Sequence, residues 1–205
     1  MEFATGTNEM VTATLGDGSV VRLAPNSRLR VLPTTSTREV SLDGKAYFAI
    51  AKQPERPFIV RTRAGDARVL GTRFEVSVDE EDVRVVVVEG KVALSAAEET
   101  VQVRAGEVSR VAGGGAPTLE RIEEVKPELG WLSGFLVFQD TPLAEVAQEI
   151  EQQYGIRVLL SDRALAQRTV TASFTNRGAE EVLTVVCRVV DARCSLSDSI
   201  ASVEP

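Results

Sequence analysis

Hydrophobic and polar positions alternate along much of the first half of the chain. The period of two is clear at 11–15, 46–50 and 74–78, and residues 101–103 repeat it. Short alternating runs rich in Val, Thr and Phe indicate the strands of a sandwich, a barrel or a solenoid. A nearly continuous apolar run at 83–88 predicts a central strand that is covered on both faces. We therefore expect an all-β domain over residues 1–111, sandwich- or solenoid-like.

Glycines mark the ends of these runs. Gly18, Gly44, Gly90 and Gly106 each follow an apolar segment, where the positive φ of a tight turn favours glycine. The acidic run 79–82 lies between two predicted strands and has two interpretations, a calcium loop or a solvated hairpin turn. The glycine and the alternating ligand spacing of a calcium loop are missing, so the turn is favoured.

A glycine-rich segment at 112–117 interrupts the strand pattern. A phosphate-binding loop would be followed by a lysine and a helix start, and neither follows here. We therefore expect residues 112–130 to be a linker.

Beyond the linker, the period becomes helical. Residues 135–138 form an apolar strand pattern, and Thr141-Pro142 predicts a helix start with the Thr hydroxyl as N-cap. Apolar positions at i, i+3, i+4, i+7 and i+11 from Leu143 predict an amphipathic helix, which Gly155 ends. A returning strand is predicted at 156–160.

The same pattern recurs 36 residues later without a gap. Phe138 aligns with Phe174, Arg157 with Arg193, and Ser161-Asp162 with 197–198. Two copies of strand-helix-strand predict a small α+β domain of duplicated β-α-β units over 131–205.

The amino-acid composition excludes most kinds of enzymatic mechanism. The chain has no histidine and only two cysteines, which excludes histidine-based catalytic pairs, histidine-ligated metals and a four-thiolate site. No cofactor or metal site is indicated, and we expect no enzymatic activity. The net charge of −7 comes from 23 basic and 30 acidic residues and argues against nucleic acid as a partner. No run of residues is long and apolar enough for a membrane helix.

Six ordered motifs in the first half resemble the periplasmic FecR-type domain. They are Leu15-Gly16-Asp17-Gly18-Ser19, Leu42-Asp43-Gly44-Lys45-Ala46-Tyr47-Phe48, Arg56-Pro57-Phe58-Ile59-Val60, Leu70-Gly71-Thr72-Arg73-Phe74-Glu75-Val76, Val88-Glu89-Gly90-Lys91-Val92 and Ala105-Gly106-Glu107. Residues 131–205, with Asp140-Thr141-Pro142-Leu143 and the repeated helix, resemble the short N-terminal domain of secretins and TonB-dependent transducers.

The resemblance implies a single-pass inner-membrane regulator of a sigma factor. Its periplasmic part would receive a signal from the N-terminal signalling domain of an outer-membrane TonB-dependent transporter of iron-siderophore. A cytoplasmic segment would hold an ECF-type sigma factor. This chain lacks that segment and the membrane helix, so we expect it to be the periplasmic part of a longer protein. An alternative is an envelope module that binds polysaccharide or peptidoglycan; the scarcity of aromatic residues (5%) disfavours it.

We expect the partner to bind mainly residues 131–205, by pairing with an unpaired strand edge. The candidates are the final segment Ser199, Ile200, Ala201, Ser202 and Val203, and the hydroxyl-bearing positions Thr169, Thr171, Ser173 and Thr175. The alternative, that the partner binds the β domain, remains open.

In a periplasmic chain, Cys187 and Cys194 are candidates for a disulfide. Cys187 lies on the apolar stripe of the second helix, and Cys194 on the inward face of the next strand. Two buried thiols are the alternative, because thiols pack well as small apolar groups.

Three further features have two interpretations each. Gly71-Thr72 could contact a ligand, but glycine within a strand pattern more often marks a turn or a bulge. Trp131 could be a binding hot spot or an anchor packed between domains. Glu145 and Glu181 are equivalent in the repeat, and their place in the first helical turn favours a dipole role over catalysis.

Overall fold

The structure is a computed structural model that describes residues 1–125 and 127–205. The chain divides into two compact units, Met1–Trp131 and Leu132–Pro205. Among the described residues, no helix combines the length and the apolar composition that crossing a membrane requires.

The first unit is all β, as predicted. Its fourteen strands are β1 (Glu2–Ala4), β2 (Val11–Thr14), β3 (Val20–Leu23), β4 (Arg28–Leu32), β5 (Arg38–Asp43), β6 (Lys45–Ala49), β7 (Phe58–Arg61), β8 (Asp66–Val69), β9 (Arg73–Asp79), β10 (Asp82–Glu89), β11 (Lys91–Ala96), β12 (Glu99–Arg104), β13 (Glu107–Val111) and β14 (Thr118–Arg121). They form two seven-stranded sheets, β1-β4-β5-β7-β8-β11-β12 and β14-β13-β10-β9-β6-β3-β2.

One hydrophobic core lies between these two sheets. It draws its inward-facing residues from both of them, and Phe48 of the second sheet meets Phe58 of the first with ring centroids 6.2 Å apart. Because alternate side chains of a strand point to opposite faces, period-two sequences bury one face of each sheet. The predicted central strand at 83–88 is confirmed, since β10 lies between β9 and β13.

The tight turns follow the glycines. Gly18, Gly44, Gly90 and Gly106 all have φ between 80° and 88°. The acidic run 79–82 spans a hairpin: Asp79 ends β9, Asp82 begins β10, and the two residues between them form the turn, with Glu80 at a φ of 51°.

Residues 112–130 are not a separate linker. Strand β14 pairs with β13 at the edge of the second sheet, and a 3-10 segment, Pro127–Leu132, follows it. The sequence of β14 lacks the alternation of the other strands, and all of its residues are exposed. It is a strand because the free backbone groups of β13 offer it hydrogen-bond partners.

The second unit contains β15 (Phe135–Pro142), α1 (Leu143–Tyr154), β16 (Arg157–Leu160), α2 (Arg163–Ala166), β17 (Thr169–Thr175), α3 (Ala179–Val189), β18 (Arg193–Ser197) and β19 (Ile200–Glu204). Strands β15 and β17 form one antiparallel pair, and the order β16-β19-β18 forms a three-stranded sheet. The helices pack against these strands, and together they enclose a second hydrophobic core.

The 36-residue repeat is visible in the backbone. Asp140 and Asn176 occupy equivalent positions with φ of 48° and 50°, and Gly155 and Asp191 do so with 67° and 50°. The equivalent rings of Phe138 and Phe174 meet edge to face at 6.2 Å. The duplicated units therefore pair their first strands, β15 and β17, with each other.

The start of α1 differs from the prediction. Thr141 lies within β15 and its hydroxyl accepts a hydrogen bond from the Gln139 N–H at 3.0 Å, so it does not cap the helix. The Leu143 N–H is satisfied by the Arg168 carbonyl at 2.8 Å instead, because pairing of β15 with β17 brings that carbonyl close.

Candidate functional site

Strand β17 has an open edge, which makes it a candidate for strand addition. Among the described residues it pairs only with β15. The Asn176 N–H bonds to the Gly134 carbonyl at 2.8 Å, and antiparallel ladders alternate, so the backbone groups of Ser173 and Thr171 point away from β15. An edge of this kind presents unpaired N–H and C=O groups to a further strand.

The side chains of β17 alternate as its sequence predicts. Thr169, Thr171, Ser173 and Thr175 are exposed, whereas Val170 and Phe174 are buried in the core of the second unit. The Thr171 hydroxyl accepts a hydrogen bond from the Asp140 N–H at 3.0 Å. This contact fixes the β15–β17 pair where its register shifts, between Phe138 and Thr141.

The expectation that Ser199–Val203 provides an edge is wrong. Strand β19 is the central strand of its sheet, parallel to β16 and antiparallel to β18. Ala201 and Val203 are buried in the core, and Ser199 accepts the Arg157 N–H at 2.8 Å. Strand β19 takes this central place because it supplies backbone hydrogen-bond partners to both returning strands, β16 and β18.

Cys187 of α3 and Cys194 of β18 form a disulfide, with their Cα atoms 6.0 Å apart. Cys187 is 3% exposed and lies on the apolar stripe of its helix. The bridge closes the turn between the helix and the strand of the second repeat.

A buried carboxylate holds Trp131 on the first unit. Glu75 of β9 is fully buried, and the Trp131 indole N–H donates a hydrogen bond to its Oε2. Lys45 and Arg84 approach Oε1 at 3.9 and 3.5 Å, and Arg84 also pairs with Glu128. The polar alternation of β9 predicted an outward Glu75, but the tryptophan side chain covers it.

The environment of Glu75 makes its ionisation less favourable than it is in water. Burial raises the pKa of Glu75, and the hydrogen bond from Trp131 with the charges of Lys45 and Arg84 offsets this only in part. Trp131 thus belongs to the first unit, where its indole N–H makes this polar contact. Its two interpretations, a binding hot spot and an anchor packed between domains, stay predictions.

A second buried ion pair organises the first FecR-like motif. Arg38 Nη1 bonds to Asp17 Oδ2 at 2.6 Å and to the Ala51 carbonyl at 3.0 Å, while Arg38 Nε bonds to the Arg56 carbonyl at 2.8 Å. Burial would raise the pKa of Asp17, but the hydrogen bonds from Arg38 and Ser19 outweigh it and hold that pKa below its ordinary value.

The repeated glutamates lie on the surface. Glu145 is exposed in the first turn of α1, and Glu181 in that of α3 pairs with Arg177 at 3.1 Å. In the parts of the chain that are described, no three His, Cys, Asp or Glu side chains come together as a metal site would need.

The fold defines a two-unit protein, a β-sandwich followed by a small α+β domain of duplicated units. The family "FecR protein" matches residues 1–93, and the family "FecR, C-terminal" matches residues 135–200. The chain therefore belongs to the FecR family.

Two solved structures are similar to this chain over almost its whole length. Two crystal structures of a candidate anti-sigma factor from Parabacteroides distasonis, at 1.65 and 2.50 Å resolution, each share 27% identity with this chain at a TM-score of 0.61. The matches cover 99% and 100% of this chain and 98% of the other. No curated protein sequence matches the chain significantly.

Proposed function

We propose that the chain is the periplasmic, signal-receiving part of a transmembrane sigma-factor regulator. Membership of the FecR family, matched in both units, and the likeness to a candidate anti-sigma factor support a role in sigma-factor regulation. The signal would come from an outer-membrane TonB-dependent iron-siderophore transducer, and a cytoplasmic segment outside this chain would pass it to an ECF-type sigma factor.

The open edge of β17 carries the proposal for the partner site. It offers backbone groups at Thr171 and Ser173 to the N-terminal signalling domain of the transporter, whose fold resembles that of residues 131–205. Main-chain hydrogen bonds supply affinity in strand addition, and side chains supply specificity.

Calorimetric titration of the full chain with the signalling domain of its cognate transporter tests this proposal. Ser173→Pro removes an outward N–H from the edge, and Ser173→Ala is the matched control that keeps it. We expect the proline variant to bind roughly tenfold more weakly, which corresponds to the loss of about one hydrogen bond. The alanine variant should bind like the wild type.

Two results would overturn the proposal. One is a folded Ser173→Pro variant, judged by its circular dichroism spectrum, that binds as tightly as the wild type. The other is no binding to the signalling domain together with sedimentation of the chain on peptidoglycan sacculi, which would establish the envelope-binding alternative.

A further inference from the structure

An open groove of about 800 Å³ crosses the outer face of the first sheet of the β-sandwich. Strands β8, β11 and β12 form its floor, and the segments around Lys52 and 70–72 form one wall. We call it the basic groove; the lining residues that matter here are Lys52, Arg68, Leu70, Lys91, Ala93 and Arg104.

Four basic side chains line the basic groove, and no acidic residue does. Lys52, Arg68, Lys91 and Arg104 are all exposed, and within the described residues none of them forms an ion pair. Lys91 lies directly opposite Arg104 across the β11–β12 ladder. Like charges in directly opposed positions destabilise a sheet. The Glu107 carboxylate accepts the Arg104 backbone N–H at 2.8 Å, but within the described residues neither side chain of the pair has an ion-pair partner, so the pair has a cost to folding.

The other half of the same sheet is arranged differently. Arg30 of β4 pairs with Glu2 at 2.9 Å, Arg61 of β7 with Glu39 at 3.0 Å, and a third contact joins Arg63 to an aspartate at 3.5 Å. The chain as a whole carries seven more acidic than basic residues, so acidic partners are abundant elsewhere. The uncompensated charge is therefore a property of the basic groove and not of the sheet.

The floor between the cations is apolar. Ala93 has Arg68 and Gln102 as its two cross-strand neighbours, and its small side chain leaves the depression between them. Leu70 stands at the wall with 40% of its surface exposed. The cations span three strands, a width of about 10 Å at the usual spacing, which suits several separate carboxylates better than one phosphate group.

The wall is held in place by close packing. A Cβ on Gly71 would lie 2.6 Å from the Lys52 Cα, so the two segments touch through their backbones. The Thr72 hydroxyl donates to the Lys91 carbonyl at 3.0 Å and ties the wall to β11. Gly71-Thr72 therefore belongs to the connection from β8 in the first sheet to β9 in the second and, at the same time, to the wall of the basic groove.

We propose that the basic groove docks an extended acidic segment of a partner protein, with carboxylates on both sides of one apolar side chain. The carboxylates meet Lys91, Arg104 and Arg68, and the apolar side chain lies against Ala93 and Leu70. Charge complementarity of this kind sets partner choice and association rate. The site lies in the first unit and makes no use of the β17 edge.

The test is a nuclear magnetic resonance titration of the full chain with a blocked pentapeptide, Asp-Glu-Leu-Glu-Asp. Amide signals around Ala93 should shift, and Lys91→Gln/Arg104→Gln should weaken binding roughly three- to tenfold, as loss of two exposed charge pairs predicts. Arg110→Gln/Arg163→Gln, which removes the same charge from exposed sites elsewhere, should leave the affinity unchanged. The Lys91/Arg104 variant should also melt at a slightly higher temperature, because it relieves like-charge repulsion.

The proposal fails if the pentapeptide shifts no signal near Ala93, or if the Lys91/Arg104 variant binds it as tightly as the wild type. It fails equally if inorganic phosphate shifts the same signals with the same affinity, since the groove would then take any small anion. Binding to phosphatidylglycerol vesicles in place of the peptide would reassign the surface to a membrane.

Discussion

Replacing Trp131 by Phe isolates the hydrogen bond between the Trp131 indole and the buried Glu75 carboxylate of the first unit. Phenylalanine keeps an aromatic ring but removes the indole N–H that donates to Glu75 Oε2. Glu75 is fully buried, and its other oxygen, Oε1, already lacks a hydrogen bond. The substitution therefore leaves a buried carboxylate without its hydrogen-bond donor.

The loss of stability in Trp131→Phe can be worked out from the charge of the Glu75 carboxylate, which accepts the hydrogen bond. A hydrogen bond to a charged group contributes about 1.5–3 kcal/mol, and an unsatisfied buried acceptor costs a similar amount. We expect Trp131→Phe to reduce the free energy of unfolding of the first unit by about 2 kcal/mol, with a fall in melting temperature of roughly 5–10 °C. Arg84 and Lys45, at 3.5 and 3.9 Å from Oε1, keep the loss from being larger.

The loss of stability in Trp131→Phe should depend on pH, because the hydrogen bond it removes affects the pKa of Glu75. The hydrogen bond from Trp131 lowers the pKa of Glu75 against the stronger effect of burial, so its removal raises that pKa further. A raised pKa in the folded state means that folding favours the protonated carboxyl, and stability falls as pH rises from the unfolded value through the folded one. The deficit of Trp131→Phe should therefore be largest above the folded-state pKa of Glu75 and shrink as the pH falls through that pKa towards the unfolded value.

Urea denaturation followed by circular dichroism measures the effect, in a cycle with Glu75→Gln. A neutral amide still accepts the indole N–H, so Trp131→Phe should cost only about 1 kcal/mol in the glutamine background. Equal losses in the two backgrounds, or a deficit independent of pH, would refute the buried-carboxylate reasoning.

Three further predictions concern stability. Cys187→Ala/Cys194→Ala should lower the unfolding free energy of the second unit by about 2.5 kcal/mol, the loop-entropy value for so short a loop, and thiol titration of the denatured, unreduced wild type should find no free thiol. Arg38→Met leaves the partly buried Asp17 carboxylate with hydrogen bonds from Ser19 alone, and should cost about 3 kcal/mol in chemical denaturation. The pKa of Asp17 is depressed in the folded state, so its contribution is present above the unfolded pKa, is lost as pH falls through the folded one, and should vanish in Asp17→Asn. Gly71→Ala places a methyl group 2.6 Å from a backbone carbon and should lower the melting temperature of the first unit measurably.

Local chemistry determined the elements. Alternation predicted the strands of the β-sandwich, and glycine at the turns matched the positive φ found at Gly44 and Gly90. The 36-residue repeat predicted two helices with the same boundaries in both copies, and α1 and α3 begin 36 residues apart, at Leu143 and Ala179. These features depend on side-chain period and on backbone sterics, both of which act over a few residues.

Pairing partners were decided by the tertiary structure. Strand β19 looks like a free terminal strand in sequence, yet it is paired on both sides because β16 and β18 each left one edge unsatisfied. Strand β14 carries no strand pattern and forms only because β13 offers it a ladder. A strand's own residues specify its faces, whereas its neighbours depend on every other edge in the domain.

The charged sites show the same division. The composition indicated an acidic chain without histidine chemistry, but not that Glu75 would be buried beneath a tryptophan 56 residues away. Nor does the order of residues reveal that Lys52, Arg68, Lys91 and Arg104 surround one groove. Burial and charge proximity arise when distant segments pack together, so they enter only with the three-dimensional arrangement of the sheets.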